Sequence, residues 1–302
     1  MPPYLAPKHT NLLSVMNYQK IISTLFLALA AAVFCGCGEK KQVKIAVFDT
    51  TLGAQYKNNP AAFDKAKELG FDGVQVSRLY KKGGIFATPE EIAAYKAKMA
   101  STGLKTSSIV VAAMPFIGNP DAPRYMQTAI DAAVELGAKN ILVSCFGKDK
   151  LSGDDCKLVE AKFAPFVAAL KLVMPYAESK GVNVCLEDTL TAAENNRVID
   201  AVGSPNLKVY FDVFNIVYYG HEEISNIEGL KGRIGEVHLK DEAHKFGASK
   251  TKPKDFNACL DALKRIGYDG WYCFEVHRFD YKKDDIDATM KFNLDYARKH
   301  IK

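Results

Sequence analysis

From residue 43 onward one unit recurs along the chain: a short apolar, β-branched run, then a longer helix-like stretch, several of which stop at glycine. "VKIAVFD" precedes "PAAFDKAKELG", "GVQVS" precedes "TPEEIAAYKAKMASTG", and "LKTSSIVVA" precedes "APRYMQTAIDAAVELG". "NILVSC" leads to "DDCKLVEAKFAPFVAALKLVMPYAESKG", "VNVCLED" to "AAENNRVIDAVG", and "LKVYFDV" to "ISNIEGLKG". "IGEVHLK" is followed by "PKDFNACLDALKRIG", and "GWYCFEVH" by "DDIDATMKFNLDYARKH". Thr88, Pro89 and Glu91 spell a capping-box helix start. Repeated strand–helix units predict parallel strands with right-handed crossovers, and eight of them in about 260 residues is the usual size of a single (β/α)8 barrel. An open doubly wound sheet is the alternative, but no GxGxxG follows a strand and no GxxxxGK is present.

The first 36 residues stand outside that pattern. Lys20 precedes an apolar run from Ile21 to Phe34, short for a membrane span and of the right length for a secretory signal. The run ends in "FCGC", which resembles the lipobox of bacterial lipoproteins, with Phe34 where leucine is usual. That resemblance implies export, lipidation of Cys37 as the mature N-terminus, and membrane association only through the lipid; an uncleaved signal anchor is the alternative. Met16 is the expected start. The expected domains are a leader over 1–36, a tether over 37–42 and one barrel over 43–302. The other cysteines show neither CxxC nor zinc spacing, so buried free thiols are expected: Cys145, Cys185 and Cys273 in strands, Cys156 and Cys259 in helices. The formal charge of +5, with Lys8 and Lys20 in the leader, gives no basic footprint for nucleic acid.

In barrels of this kind, chemistry sits at the C-terminal ends of the strands. The last four strand patterns each carry a metal-competent side chain there: Glu187 in "CLED", Asp212 in "VYFDVFN", His238 in "EVHLKD" and Glu275 in "CFEVH". Carboxylates brought that close repel one another strongly without a cation. Oxygen ligands with one imidazole suit a divalent ion, Mn, Mg, Co or Zn, and do not choose among these. Strand alternation places Lys240 and His277 on the same inward face as His238 and Glu275, and turns Asp188 and Asp241 away. His221 and His244 read as loop residues. GxSxG and HExxH are absent.

Together "GFDGVQVS", "CLEDT", "KVYFDVFNIVYYG", "EVHLKD" and "ALKRIGYDGWYCFE" resemble, in their order, the sugar phosphate isomerase/epimerase family of xylose isomerase-like TIM barrels. The resemblance implies that Glu187, Asp212, His238 and Glu275 hold one divalent metal ion, and that Glu187 and Glu275 double as acid and base. The reaction it implies is proton transfer next to a carbonyl of a sugar, through an enediolate, giving epimerisation or isomerisation. Asn215, Lys240, His277 and Gln75 are the expected substrate contacts. Asn215 stands where ketose 3-epimerases carry histidine, His244 where they carry arginine, and Gln75 where family members often carry glutamate, so the sugar and the reaction stay open. An inosose-dehydratase-like lyase and a non-catalytic sugar-binding lipoprotein are the alternatives. Endonuclease-like cleavage needs more ligands than six histidines supply. Export favours a free sugar, glycoside or cyclitol over a phosphorylated one. The pattern leaves the oligomeric state open.

Overall fold

Alternating strands and helices pack as the sequence pattern requires in a computed structural model that describes residues 43–146, 150–153, 155–276 and 285–301. The leader, Cys37 and His277 lie outside the described residues. In chain order the elements are β1 (Lys44–Phe48), α1 (Ala62–Leu69), β2 (Gly73–Leu79), α2 (Pro89–Thr102), β3 (Lys105–Ala112), α3 (Ala122–Glu135), β4 (Asn140–Ser144) and α4 (Glu160–Lys180). They continue as β5 (Asn183–Glu187), α5 (Ala192–Val202), β6 (Leu207–Asp212), α6 (Asn215–Tyr218), α7 (Glu223–Gly229), β7 (Ile234–Leu239), α8 (Phe256–Arg265), β8 (Trp271–Phe274) and α9 (Ile286–His300). Every neighbouring pair is parallel, and β1 closes on β8 with Val47 opposite Phe274. The expected single (β/α)8 barrel is therefore present.

Strand alternation splits the core in two. Outward residues such as Ile45, Val47, Val74 and Ile109 pack with Phe63, Ala129 and Leu170 of the helices. Inward residues Ala46, Phe48, Val110, Leu142, Cys185, Tyr210 and Cys273 fill the barrel itself. Near its N-terminal end the interior is tight. A Cβ on Gly235 would sit 2.5 Å from Cys185 Sγ, so only glycine fits there.

Helix starts follow local chemistry. Thr88 accepts from the Glu91 amide while Glu91 reaches back to the Thr88 amide, and Thr191 with Glu194 repeats the device at α5. One expected helix starts late. The stretch from residue 154 was expected to be helical, yet α4 begins at Glu160, and Cys156 lies in a turn with φ 58°. The reason is a competing partner. Glu194 takes the Leu158 amide at 2.7 Å, and Ser152 pairs with Leu158 in an isolated bridge, so these backbone groups are used outside a helix. Cys145 follows β4 and still extends its ladder, donating its amide to the Glu187 carbonyl at 2.8 Å. The thiols of Cys185, Cys259 and Cys273 are free and buried, as expected; Cys145 is buried and Cys156 half-buried. No helix among the described residues is long and apolar enough to cross a membrane.

Candidate metal centre

Glu187 ends β5, Asp212 ends β6, His238 is the penultimate residue of β7, and Glu275 directly follows β8. Parallel register therefore brings all four to one level of the barrel mouth. One ligand atom from each lies within 4.8 Å of all the others, and all four residues are buried. His238 Nδ1 faces the three carboxylates, 3.1 Å from Glu275 Oε2, 3.3 Å from Glu187 Oε1 and 4.0 Å from Asp212 Oδ2. Its ring is held between Phe48 and Tyr210, with centroids 5.8 and 4.4 Å away.

Asp212 also shapes the chain around it. Its Oδ1 accepts the Phe214 amide at 2.7 Å and the Asn215 amide at 2.9 Å, turning the backbone into the short helix α6, which the sequence pattern had not suggested. That leaves Oδ2 for the cluster. Lys240 brings a cation to the same place: its Nζ lies 2.9 Å from Asp212 Oδ2 and 2.8 Å from Glu275 Oε2. Asn215 donates to Glu187 Oε1 at 3.2 Å and accepts from Lys240 Nζ at 3.4 Å.

Electrostatics follow from this crowding. Burial, and then the Glu275 charge, pushes the Glu187 carboxyl up from the ordinary glutamate range. Burial alone would lower His238, but the Glu275 charge foremost, and then hydrogen bonding with Cys273 and Glu187, hold the imidazole well above its usual range. Lys240 is raised in the same way: burial opposes its charge, and Asp212, Glu275 and Glu187 outweigh burial. The raised His238 and Lys240 share one cause, the negative charge gathered at this point.

These residues fit a divalent ion. Three carboxylates and one imidazole converge from four strands, a buried ammonium is already drawn between two of them, and the donors are those that divalent ions of this class take. The four residues are positioned to chelate a single divalent ion.

The remaining expected residues divide. Asn215 and Lys240 border a cavity of about 370 Å³ that opens above the cluster. Four aromatic residues also line it, Phe146, Phe214, Tyr218 and Tyr219, with Phe146 stacked on Tyr219, Phe214 on Tyr218, and Lys240 Nζ 5.4 Å from the Phe214 ring centre. Gln75 is placed elsewhere. It is fully buried beneath the cluster, its carbonyl 2.8 Å from His238 Nε2 and its amide donating to Ser108 and Tyr210. Asp188 and Asp241 brace the segments that follow their strands. Asp188 accepts from Leu190 and Asn195, and Asp241 accepts the amides of Ala243, Gly247 and Ser249. Burial pushes Asp188 up to about 7. His221 bonds the Thr189 carbonyl at 3.0 Å, and His244 borders the cavity from a loop, with φ 65°. Glu236, two residues before His238 and wholly buried, was missed; strand alternation was the signal that could have found it.

Comparison with known proteins agrees with this architecture. The family described as the xylose isomerase-like TIM barrel matches residues 63–299. The chain belongs to that family. It is 27% identical over 240 residues to a ketose 3-epimerase of Arthrobacter globiformis, covering 75% of this chain and 80% of the relative. With a 2-epi-5-epi-valiolone 7-phosphate 2-epimerase of an Actinoplanes species it shares 25% identity over 187 residues, 60% of this chain and 67% of that one. Among solved structures, an L-ribulose 3-epimerase superposes with a TM-score of 0.69 at 20% identity, over 86% of this chain and 95% of the other. A 3-keto-D-glucoside 4-epimerase from E. coli gives 0.68 at 19% identity, over 85% and 100%. At these identities the solved structures speak for the fold.

Proposed function

We propose that this protein is a metal-dependent epimerase or isomerase of an uncharged sugar or cyclitol. The observation that carries the reading is the pair of glutamates in the ligand cluster: Glu187 from β5 and Glu275 beyond β8 approach His238 Nδ1 from strands three apart on an eight-stranded wall. When bound, a divalent ion supplies positive charge beside the substrate carbonyl, where negative charge develops. The protein's own groups do the rest. One glutamate takes the proton from the carbon next to the carbonyl; the other returns a proton from the opposite face for epimerisation, or to the adjacent carbon for isomerisation. Asn215 orients Glu187 and offers its amide to a hydroxyl, Lys240 steadies Asp212 and Glu275, and His277 is a further proposed hydroxyl contact. The aromatic lining suits the C–H face of a sugar ring. The epimerases to which the chain is similar support this chemistry.

The test is incubation of the metal-loaded enzyme with keto-sugars and inososes in deuterated water, followed by NMR. Deuterium at one carbon of an epimerised or isomerised product is the expected result. An unsaturated product would make the enzyme a lyase, and no exchange with any of them would remove the proposal.

The chain is further proposed to be exported and lipidated at Cys37, with 1–36 as leader, 37–42 as tether and 43–302 as barrel. Support comes from Lys20, the apolar run and Gly36-Cys37. Cys37→Ala should shift the protein out of the membrane fraction or leave it unprocessed; wild type wholly in the cytosol would refute export.

A further inference from the structure

Below the metal centre the barrel interior holds a carboxylate that touches no candidate ligand. Glu236 is 0% exposed, and both its oxygens are used as acceptors. Oε1 accepts from Tyr210 Oη at 2.9 Å and from Ser108 Oγ at 3.0 Å, and Oε2 accepts from Asn140 Nδ2 at 3.1 Å. Asn140 is itself fixed, accepting from Asn183 at 2.9 Å and donating to the Gly235 carbonyl at 3.1 Å.

These bonds have a direction. A hydroxyl carries one hydrogen. The hydrogens of Tyr210 and Ser108 are committed to Glu236, so toward Gln75 both hydroxyls can only accept. Gln75 Nε2 lies 2.7 Å from Tyr210 Oη and 2.9 Å from Ser108 Oγ, which uses both of its hydrogens. The amide is thereby turned with its carbonyl toward the mouth, 2.8 Å from His238 Nε2. A carbonyl only accepts, so Nε2 keeps its proton. The neutral ring then has its lone pair on Nδ1, the nitrogen that faces Glu187 and Glu275 at 3.3 and 3.1 Å. Were Gln75 turned over, its NH2 would meet Nε2, the proton would move to Nδ1, and the imidazole could not ligate from the side the carboxylates occupy.

We propose that Glu236 is a positioning residue. Through the parallel arms of Tyr210 and Ser108 it sets the orientation of Gln75, and through Gln75 the tautomer and aim of His238, so that the cluster takes up a divalent ion. The proposal rests on the metal-centre reading and adds to it a determinant of affinity that lies outside the ligands. Partners that orient a ligating histidine typically change metal affinity by about 10–100-fold when removed.

The experiment measures Co²⁺ and Mn²⁺ dissociation constants of the metal-stripped full chain by chelator competition. Glu236→Gln, which can present an NH2 to the hydroxyls and reverse the chain of bonds, should weaken binding by about 10–100-fold. Tyr210→Phe and Ser108→Ala each leave one arm, so each alone should cost little, while the double variant should match Glu236→Gln. That non-additive pattern also serves if Glu236→Gln fails to fold. A merely structural role would lower the melting temperature of the metal-free protein and leave the dissociation constants of the folded variants unchanged, which would overturn the proposal. A wild-type chain that binds neither ion would instead remove the metal-centre reading beneath it.

Discussion

Strands β5 to β8 bring Glu187, Asp212, His238 and Glu275 to one point, whereas β1 leads into a single buried acid, Asp49, and β2 to β4 end in Leu79, Ala112 and Ser144. Both halves of the wall thus carry carboxylate out of water, and they accommodate it differently. Asp49 stands alone and is hydrogen-bonded by the amides of Asn58 and Ser77 and by the Ser77 hydroxyl. Despite these donors, burial pushes its carboxyl up to about 6. Three acids within 4.8 Å of one another and of His238 cannot be quieted that way, and they gather Lys240 between them. A lone buried acid is accommodated by local donors and a proton; a group of them calls for a cation.

The sharpest way to break this contrast is to change chemistry in one half only. Glu187→Gln and Glu275→Gln should each lower turnover by about 10²–10⁴-fold on an established substrate while binding largely survives. Asp49→Asn should leave turnover near wild type. Equal loss from all three would mean that the halves are not distinct.

Metal content is the next handle. His238→Ala or Asp212→Asn should strip most of the bound divalent ion, measured by elemental analysis after gel filtration, with the circular dichroism of the barrel retained. The ligands sit at strand ends, above the packed interior. Full occupancy in both variants would place the ion elsewhere.

Stability against pH separates the halves from the other side. Asp49 has its folded pKa raised from 3.8 to about 6, so between those values the folded chain holds a proton that the unfolded chain has lost. Its contribution is complete below the lower value and disappears as pH rises through 6, a change of about 3 kcal/mol at 1.36 kcal/mol per unit. The advantage of wild type over Asp49→Asn in melting temperature should therefore shrink between pH 4 and pH 7. Parallel curves would show that the carboxyl is not held protonated.

The smallest effects should be shared. Thr88→Ala at α2 and Thr191→Ala at α5 each remove the side-chain half of a capping box, at a cost of about 1 kcal/mol in thermal or denaturant unfolding. Neither should change metal content. A cost confined to one half would mean that one of these helices is held by its packing alone.

Much of this architecture is legible in the chain because it is written locally. Strand alternation, the Thr88 cap and the glycine that ends α4 at Gly181 with φ 67° are decided by neighbours a few residues apart. The four clustered residues could be found because each sits at a strand end, and parallel register does the gathering. The place of Gln75 is not legible, for the opposite reason. Its partners His238 and Tyr210 lie 163 and 135 residues away, and no local pattern distinguishes a glutamine aimed at a substrate from one aimed at an imidazole. Glu236 is the same case: alternation turns it inward, but the donors awaiting it come from β3, β4 and β6. The late start of α4 depends on Glu194, which the sequence places in another unit.

Lys240 between Asp212 and Glu275 has a consequence that appears when the centre is counted in elementary charges. With His238 neutral, as a metal ligand must be, Glu187, Asp212 and Glu275 bring three negative charges and Lys240 one positive, which leaves two negative charges to be matched. One divalent ion with a neutral imidazole matches them, and the floor of the cavity becomes neutral. An uncharged sugar, as proposed above, would then meet no Coulomb mismatch, whereas a phosphate group would bring about two extra negative charges. Proton transfer keeps the balance: as the substrate gains negative charge, the glutamate that takes its proton loses one. The total stays constant throughout, so the reaction would move charge within the pocket and create none that surrounding water must answer.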